Sequence, residues 1–223
     1  MRMKLAIKGL FKFIAGLLLV GLLLFLPAGS FAYTNAWLFI GLLFIPILIL
    51  GIVMLFKAPK LLEKRLNAKE KESTQKGVLA LSALIFLAGF IVAGLDYRFG
   101  WSDVPLWVVI VASAVLLISY ALYAEVMREN TYLSRTIEVQ EGQKVVDKGL
   151  YAVVRHPMYA VTVWLFFSIP LVLASWWACL CFLPYLVIIC VRICNEEKVL
   201  SAELDGYVEY KKRVKYRLIP FLW

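Results

Sequence analysis

Apolar residues are gathered in long blocks along this chain, and the short stretches between the blocks hold almost all of its charge. Residues 13–26 and 36–56 run with hardly a polar side chain, and the second block is long enough to cross a hydrocarbon core of roughly 30 Å as a helix. The pattern predicts membrane-spanning helices over 10–26, 36–56, 78–95 and 104–124. A further apolar stretch, 159–191, is too long for one span and barely enough for two. Pro170, Ala174 and Ser175 near its middle predict a tight hairpin of two short spans, accommodated by local thinning or by protein covering their ends. Pro46 and Pro184 are expected to kink their helices, and Trp101 and Trp107 read as interfacial anchors.

Composition sharpens this picture. The 223 residues are 63% hydrophobic and 17% charged, with mean hydropathy +0.84, whereas charged residues make up about a quarter of a soluble domain. A secreted disulfide scaffold, a coiled coil and a disordered chain are excluded together. The expectation is an all-α integral membrane protein of about six transmembrane helices, with a short C-terminal helical hairpin and a cytoplasmic pocket at its inner end. It divides into a four-helix transmembrane region, 1–129, and a C-terminal functional region, 130–223.

The net charge of +9 does not point to nucleic acid, because its placement follows the spans. Of 24 Lys and Arg residues, four lie before or at the very start of the first span, seven between residues 57 and 76, five between 128 and 155, and seven from Arg192 onward, with only Arg98 elsewhere. Basic residues favour the cytoplasmic side, so both termini are expected there, with outer turns at 28–35, 96–103 and 174–175. Six crossings of a multi-pass protein satisfy that alternation. Ser30, Phe31 and Ala32 resemble a signal-peptide cleavage site, yet removing the first segment would leave the later spans oriented as before.

Cys179, Cys181, Cys190 and Cys194 all lie in the second arm of the hairpin, where lipid and a reducing cytosol disfavour disulfides. With one histidine and no Cys/His cluster outside the membrane, no metal site is expected. Phosphate loops, nucleophile elbows and internal repeats are absent. The first four spans carry almost no ionisable side chain, the usual pointer to intramembrane function.

Candidate chemistry is therefore confined to two polar segments that the hairpin draws together. One spans 130–158 and leads into His156, Pro157, Met158 and Tyr159. The other holds Arg192, Glu196 and Glu197. Their combined groups suit a zwitterionic, nucleoside-containing ligand: a carboxylate for hydroxyl or amino donors, an imidazole and backbone amides for a carboxylate, and the rings of Tyr151 and Tyr159 for adenine or a sulfonium. Each has a plainer reading. His156 and Pro157 suit a helix start, the glutamates a helix dipole, and Arg192 a snorkel to headgroups. Tyr207, Tyr210, Lys211, Lys212 and Arg213 read most simply as an interfacial helix touching anionic lipid.

Gly149-Leu150-Tyr151, the run Arg155 to Tyr159, the apolar hairpin, Arg192 with Glu196 and Glu197, and then Tyr207, Tyr210 and Arg217 ahead of Pro220 together resemble the isoprenylcysteine carboxyl methyltransferase family and its phospholipid methyltransferase relatives. The likeness covers residues 130–223. It implies a membrane-embedded methyltransferase that uses S-adenosylmethionine without a Rossmann domain. By position it implies cofactor binding by Glu138, Gln143, Lys144, Val145, Val146, Tyr151, His156, Pro157, Met158, Tyr159 and Glu196, with Arg192 as the substrate-binding and catalytic residue facing a carboxylate. Ala160 stands where the family often has Gly, and Gln143 where it often has His, which favours a backbone over a side-chain contact at 143.

The implied acceptor is a lipid or a prenylated small molecule or peptide, met inside the bilayer and methylated on an isoprenylcysteine-type carboxylate. Two alternatives stand beside it. One is N-methylation of a phospholipid amine, with Glu197 or His156 taking the proton. The other is a lipid-binding membrane protein without turnover.

Overall fold

The computed structural model describes residues 2–67, 73–133 and 139–223. Its secondary structure there is helical, in chain order α1 (Arg2–Ala28), α2 (Thr34–Lys57), α3 (Pro59–Asn67), α4 (Ser73–Phe99), α5 (Leu106–Glu129), α6 (Pro157–Val172), α7 (Trp176–Phe182), α8 (Pro184–Glu203) and α9 (Tyr207–Arg213), with a short 3₁₀ turn at Gly149–Ala152. Among the described residues, five helices are long and apolar enough to cross a membrane: Arg2–Ala28, Thr34–Lys57, Ala80–Phe99, Leu106–Glu129, and α7 with α8 as one run, Trp176–Glu203. The apolar helix Pro157–Val172 is shorter than these. Only 11% to 33% of the residues in each span are buried within the protein, so hydrocarbon must cover the rest.

The hairpin departs from its expected form in two ways. Its first arm, α6, is short, but its second is not. Leu183 keeps helical dihedrals (φ −55°, ψ −43°), so Pro184 enters α8 at its first position, where its missing N–H costs little, and α7 and α8 run on. That arm continues through Arg192, Glu196 and Glu197 to Glu203. The arms also splay: α6 meets α7 near the turn and packs chiefly along α5, while α7 packs on α4. The space between α6 and α8 is what becomes the site.

Close packing sets the frame around that space. A Cβ on Gly94 would lie 2.6 Å from the carbonyl oxygen of Leu24, so α1 and α4 approach as closely as small residues in a membrane allow. Phe86 of α4 meets Phe166 of α6 edge-on at 4.6 Å and Phe182 of α7 at 5.2 Å, fixing three elements around one ring.

A polar clasp closes the turn end. Asp96, buried in α4, accepts from the Ser102 amide at 2.7 Å, from the Ser102 hydroxyl at 2.6 Å, and from the Ser175 hydroxyl. Ser175 also caps α7 by accepting from the Ala178 amide at 3.0 Å. At the start of α2, the hydroxyl of the preceding Tyr33 donates to the Leu173 carbonyl at 2.5 Å, and Asn35 to the Val172 carbonyl at 3.0 Å. Carbonyls freed by the tight turn at Ala174 (φ +55°) thereby find donors.

Candidate functional site

The opposite end of the hairpin opens onto a cavity of about 950 Å³. Its two halves differ in chemistry. The polar half is bounded by the loop 143–146, the start of α6, and Arg192 and Glu196 of α8. The apolar half is walled by Phe39, Leu43 and Ile47 of α2, Phe90 of α4, and Leu165 and Ile169 of α6. Helices from the N-terminal region thus supply much of the chamber, although they bear no polar signal in the sequence.

Local sequence explains how the polar half is held. Gly149 sits at φ +57°, in the left-handed region, with its α-carbon against the Glu129 carboxylate. Any Cβ would overlap that carboxylate, which accepts the Leu150 amide at 3.0 Å. The chain then delivers Tyr151 to a buried position, where its hydroxyl accepts from Asn130 at 3.0 Å and its carbonyl from the Tyr210 hydroxyl at 2.7 Å. His156 caps α6, with Pro157 at the first helical position. The C-terminal segment runs beside this entry, so the Arg155 and His156 amides donate to the Tyr216 and Arg217 carbonyls, each at 2.9 Å.

Glu196 and Glu197 have different surroundings because successive residues of a helix point about 100° apart. Glu197 is buried off the cavity. Its Oε1 accepts from Arg155 Nε at 2.6 Å and faces His156 Nε2 at 3.3 Å, while its Oε2 accepts from Arg217 Nε at 3.0 Å. Because a carboxylate only accepts, Nε2 is the ring nitrogen that carries hydrogen. Arg155 also donates to the carbonyls of Val214 and Lys215 at 2.7 and 2.8 Å. Two guanidinium groups thus compensate one buried carboxylate. Glu196 instead lines the cavity and accepts from the Tyr159 hydroxyl at 2.6 Å. Tyr159 in turn accepts from Arg192 Nε at 2.8 Å, which links acid, phenol and guanidinium across the splayed arms.

Of the residues singled out from the sequence, Gln143, Lys144, Val145, Val146, Tyr151, His156, Met158, Tyr159, Arg192 and Glu196 all line this one cavity. Pro157 does not; it is buried, and it sets the backbone that starts α6. Glu138 lies outside the described residues. Gln143 uses its side-chain oxygen to accept the Gln140 amide at 2.9 Å, within the turn that carries Gly142. The glutamates stand toward the C-terminal end of α8, where a carboxylate gains nothing from the helix dipole.

Tyr207 and Tyr210 correct the reading of α9 as a helix whose aromatics touch lipid. Both are buried and line the cavity, packed with Leu204, Val214, Leu200 and Val145. Burial, and for Tyr207 the nearby carboxylates of Glu197 and Glu196, push these phenols well above their usual range, so both remain protonated. The signal was available: apolar and aromatic residues recur at 204, 207, 210 and 214, at three- and four-residue spacing. Of the basic residues beside them, Arg213 pairs with Asp147 at 2.8 Å.

No curated protein matches the chain. A family of membrane methyltransferases acting on lipid-like substrates does: the model described as phospholipid methyltransferase matches residues 106–204, from the start of α5 to just past the end of α8. That stretch holds the cavity-lining parts of α5, α6 and α8, and over it the chain is similar to the phospholipid methyltransferase family, to which the isoprenylcysteine carboxyl methyltransferases are related.

Proposed function

We propose that the protein is an S-adenosylmethionine-dependent methyltransferase whose acceptor is a lipid-like carboxylate of the isoprenylcysteine type. The cavity suits the cofactor by the chemistry of its lining: a carboxylate at Glu196 for hydroxyl or amino donors, the imidazole of His156, the backbone of 143–146, and buried aromatic rings. When bound, the cofactor supplies an electrophilic methyl group on a sulfonium.

The residues of this chain would hold the partners in register. Arg192 would orient the acceptor carboxylate, and the apolar half of the chamber would take the lipid chain, leaving the reacting oxygen at the polar half. A carboxylate is ionised near neutral pH and needs no base. Transfer would form a carbon–oxygen bond as the carbon–sulfur bond breaks, and would neutralise both charges. The polar half would face the cytoplasm, with both termini on that side and α6 completing six crossings.

One observation carries this reading. Arg192 and Glu196 stand one turn apart on α8, line the same cavity, and meet through Tyr159. N-methylation of a phospholipid amine requires a proton acceptor, and Glu197, one candidate for that role, is committed to Arg155 and Arg217.

Incubation of the purified protein with labelled S-adenosylmethionine and either a prenylcysteine analogue or phosphatidylethanolamine tests it. Label is expected in the former as a base-labile ester. Arg192→Ala should lower kcat/KM about a hundredfold with cofactor affinity nearly unchanged, whereas Glu196→Gln should weaken cofactor binding about tenfold. Label in the phospholipid would replace the carboxyl reading, and label in neither despite cofactor binding would replace the enzyme with a lipid-binding protein.

A further inference from the structure

We propose that the Tyr207 hydroxyl donates a hydrogen bond to the adenine ring of the bound cofactor, making α9 a wall of the nucleoside pocket. This rests on reading the cavity as an S-adenosylmethionine site. Among the described residues, the Tyr207 hydroxyl is the one buried side-chain polar group with no hydrogen-bond partner. The residue is only 4% exposed, and it lines the cavity.

Its neighbour on the same face shows what a structural tyrosine looks like here. Tyr210, equally buried, gives its proton to the Tyr151 carbonyl and ties α9 to the turn before α6. Tyr207 makes no such tie. A buried hydroxyl left unpaired destabilises the fold, and such groups persist where a ligand completes them.

The surroundings narrow the ligand atom. Val145, Leu200 and Leu204, which also line the cavity, give Tyr207 apolar neighbours, while the nearby donors Arg155 and Tyr210 have partners of their own. Glu196 and Glu197 lie near enough to act on the phenol electrostatically without bonding to it. Their charge disfavours an anionic acceptor, such as the amino-acid carboxylate of the cofactor. A flat neutral ring with acceptor nitrogens fits: its faces contact the aliphatic walls and its edge takes the proton.

Tyr207→Phe removes only the oxygen. For the full-length protein in detergent, calorimetric titration with S-adenosylhomocysteine should show about tenfold weaker binding in the variant. Thermal unfolding without ligand should stay the same or rise, because an unpaired buried hydroxyl has been deleted. Titration with the 1-deaza, 3-deaza and 7-deaza analogues then identifies the acceptor: for one of them the wild type should fall to the affinity of the variant. Equal S-adenosylhomocysteine affinity in the two proteins overturns the role of Tyr207, and a difference that survives in all three analogues overturns the adenine assignment. Failure of the wild-type protein to bind S-adenosylhomocysteine removes instead the methyltransferase reading on which both depend.

Discussion

The turn end and the site end of the hairpin each bury a carboxylate, and the two are built in opposite ways. Asp96 is met by two serine hydroxyls and a backbone amide, and the space beside it is about 140 Å³. Glu197 is met by two guanidinium groups and an imidazole, on the flank of a cavity of about 950 Å³. Neutral donors suffice to close the clasp that joins α4 to the hairpin turn. Holding α8 against the C-terminal segment and the start of α6 is done instead with charge, two guanidinium groups compensating one buried carboxylate. The first cluster only fastens. The second fastens so that Glu196, one residue earlier, is presented to the cavity.

The contrast is open to measurement, and its largest test is Glu197→Gln. Removing that charge strands two guanidinium groups, one deeply buried, and should cost about 3 kcal/mol of stability with loss of activity, read by thermal unfolding in detergent and by methyl transfer. Asp96→Ala should cost about 2 kcal/mol, since hydroxyl and amide donors lose an ionised acceptor, while leaving the affinity for S-adenosylhomocysteine unchanged. A clear drop in that affinity would mean that the two ends are coupled. Smallest is Gly149→Ala, at about 1–2 kcal/mol for an L-residue held in the left-handed region. Here cofactor binding should weaken as well, because Glu129 is displaced from the Leu150 amide next to Tyr151.

Much of this architecture was readable from residue order, and the parts that were not have physical reasons. Spans 36–56 and 104–124 announced themselves by length and apolar content, and the convergence of His156 with Glu196 followed from joining two polar segments to a hairpin. The length of the second arm was hidden because Arg192, Glu196 and Glu197 suggest the end of a buried helix, whereas the helix continues to Glu203 with those charges satisfied by protein. Which glutamate faces the cavity depends on the rotation of α8, which no local pattern encodes. The contribution of Phe39, Leu43 and Ile47 was invisible for a different reason: a side chain facing lipid and one facing an apolar chamber are selected for the same property. Tyr207 was misread because nearby lysines and arginines imitate a membrane-surface helix.

The adjacency of Glu196 and Glu197 gives α8 an intolerance that its apolar composition conceals. Deleting or inserting one residue between Tyr185 and Glu196 would swing everything downstream by about a hundred degrees. The anchor would leave Arg155 and His156 and the cavity-facing acid would turn away, even though hydropathy would barely change. Conservative exchanges among Leu, Ile and Val in this arm should therefore be absorbed, while a shift of frame by a single position would be ruinous.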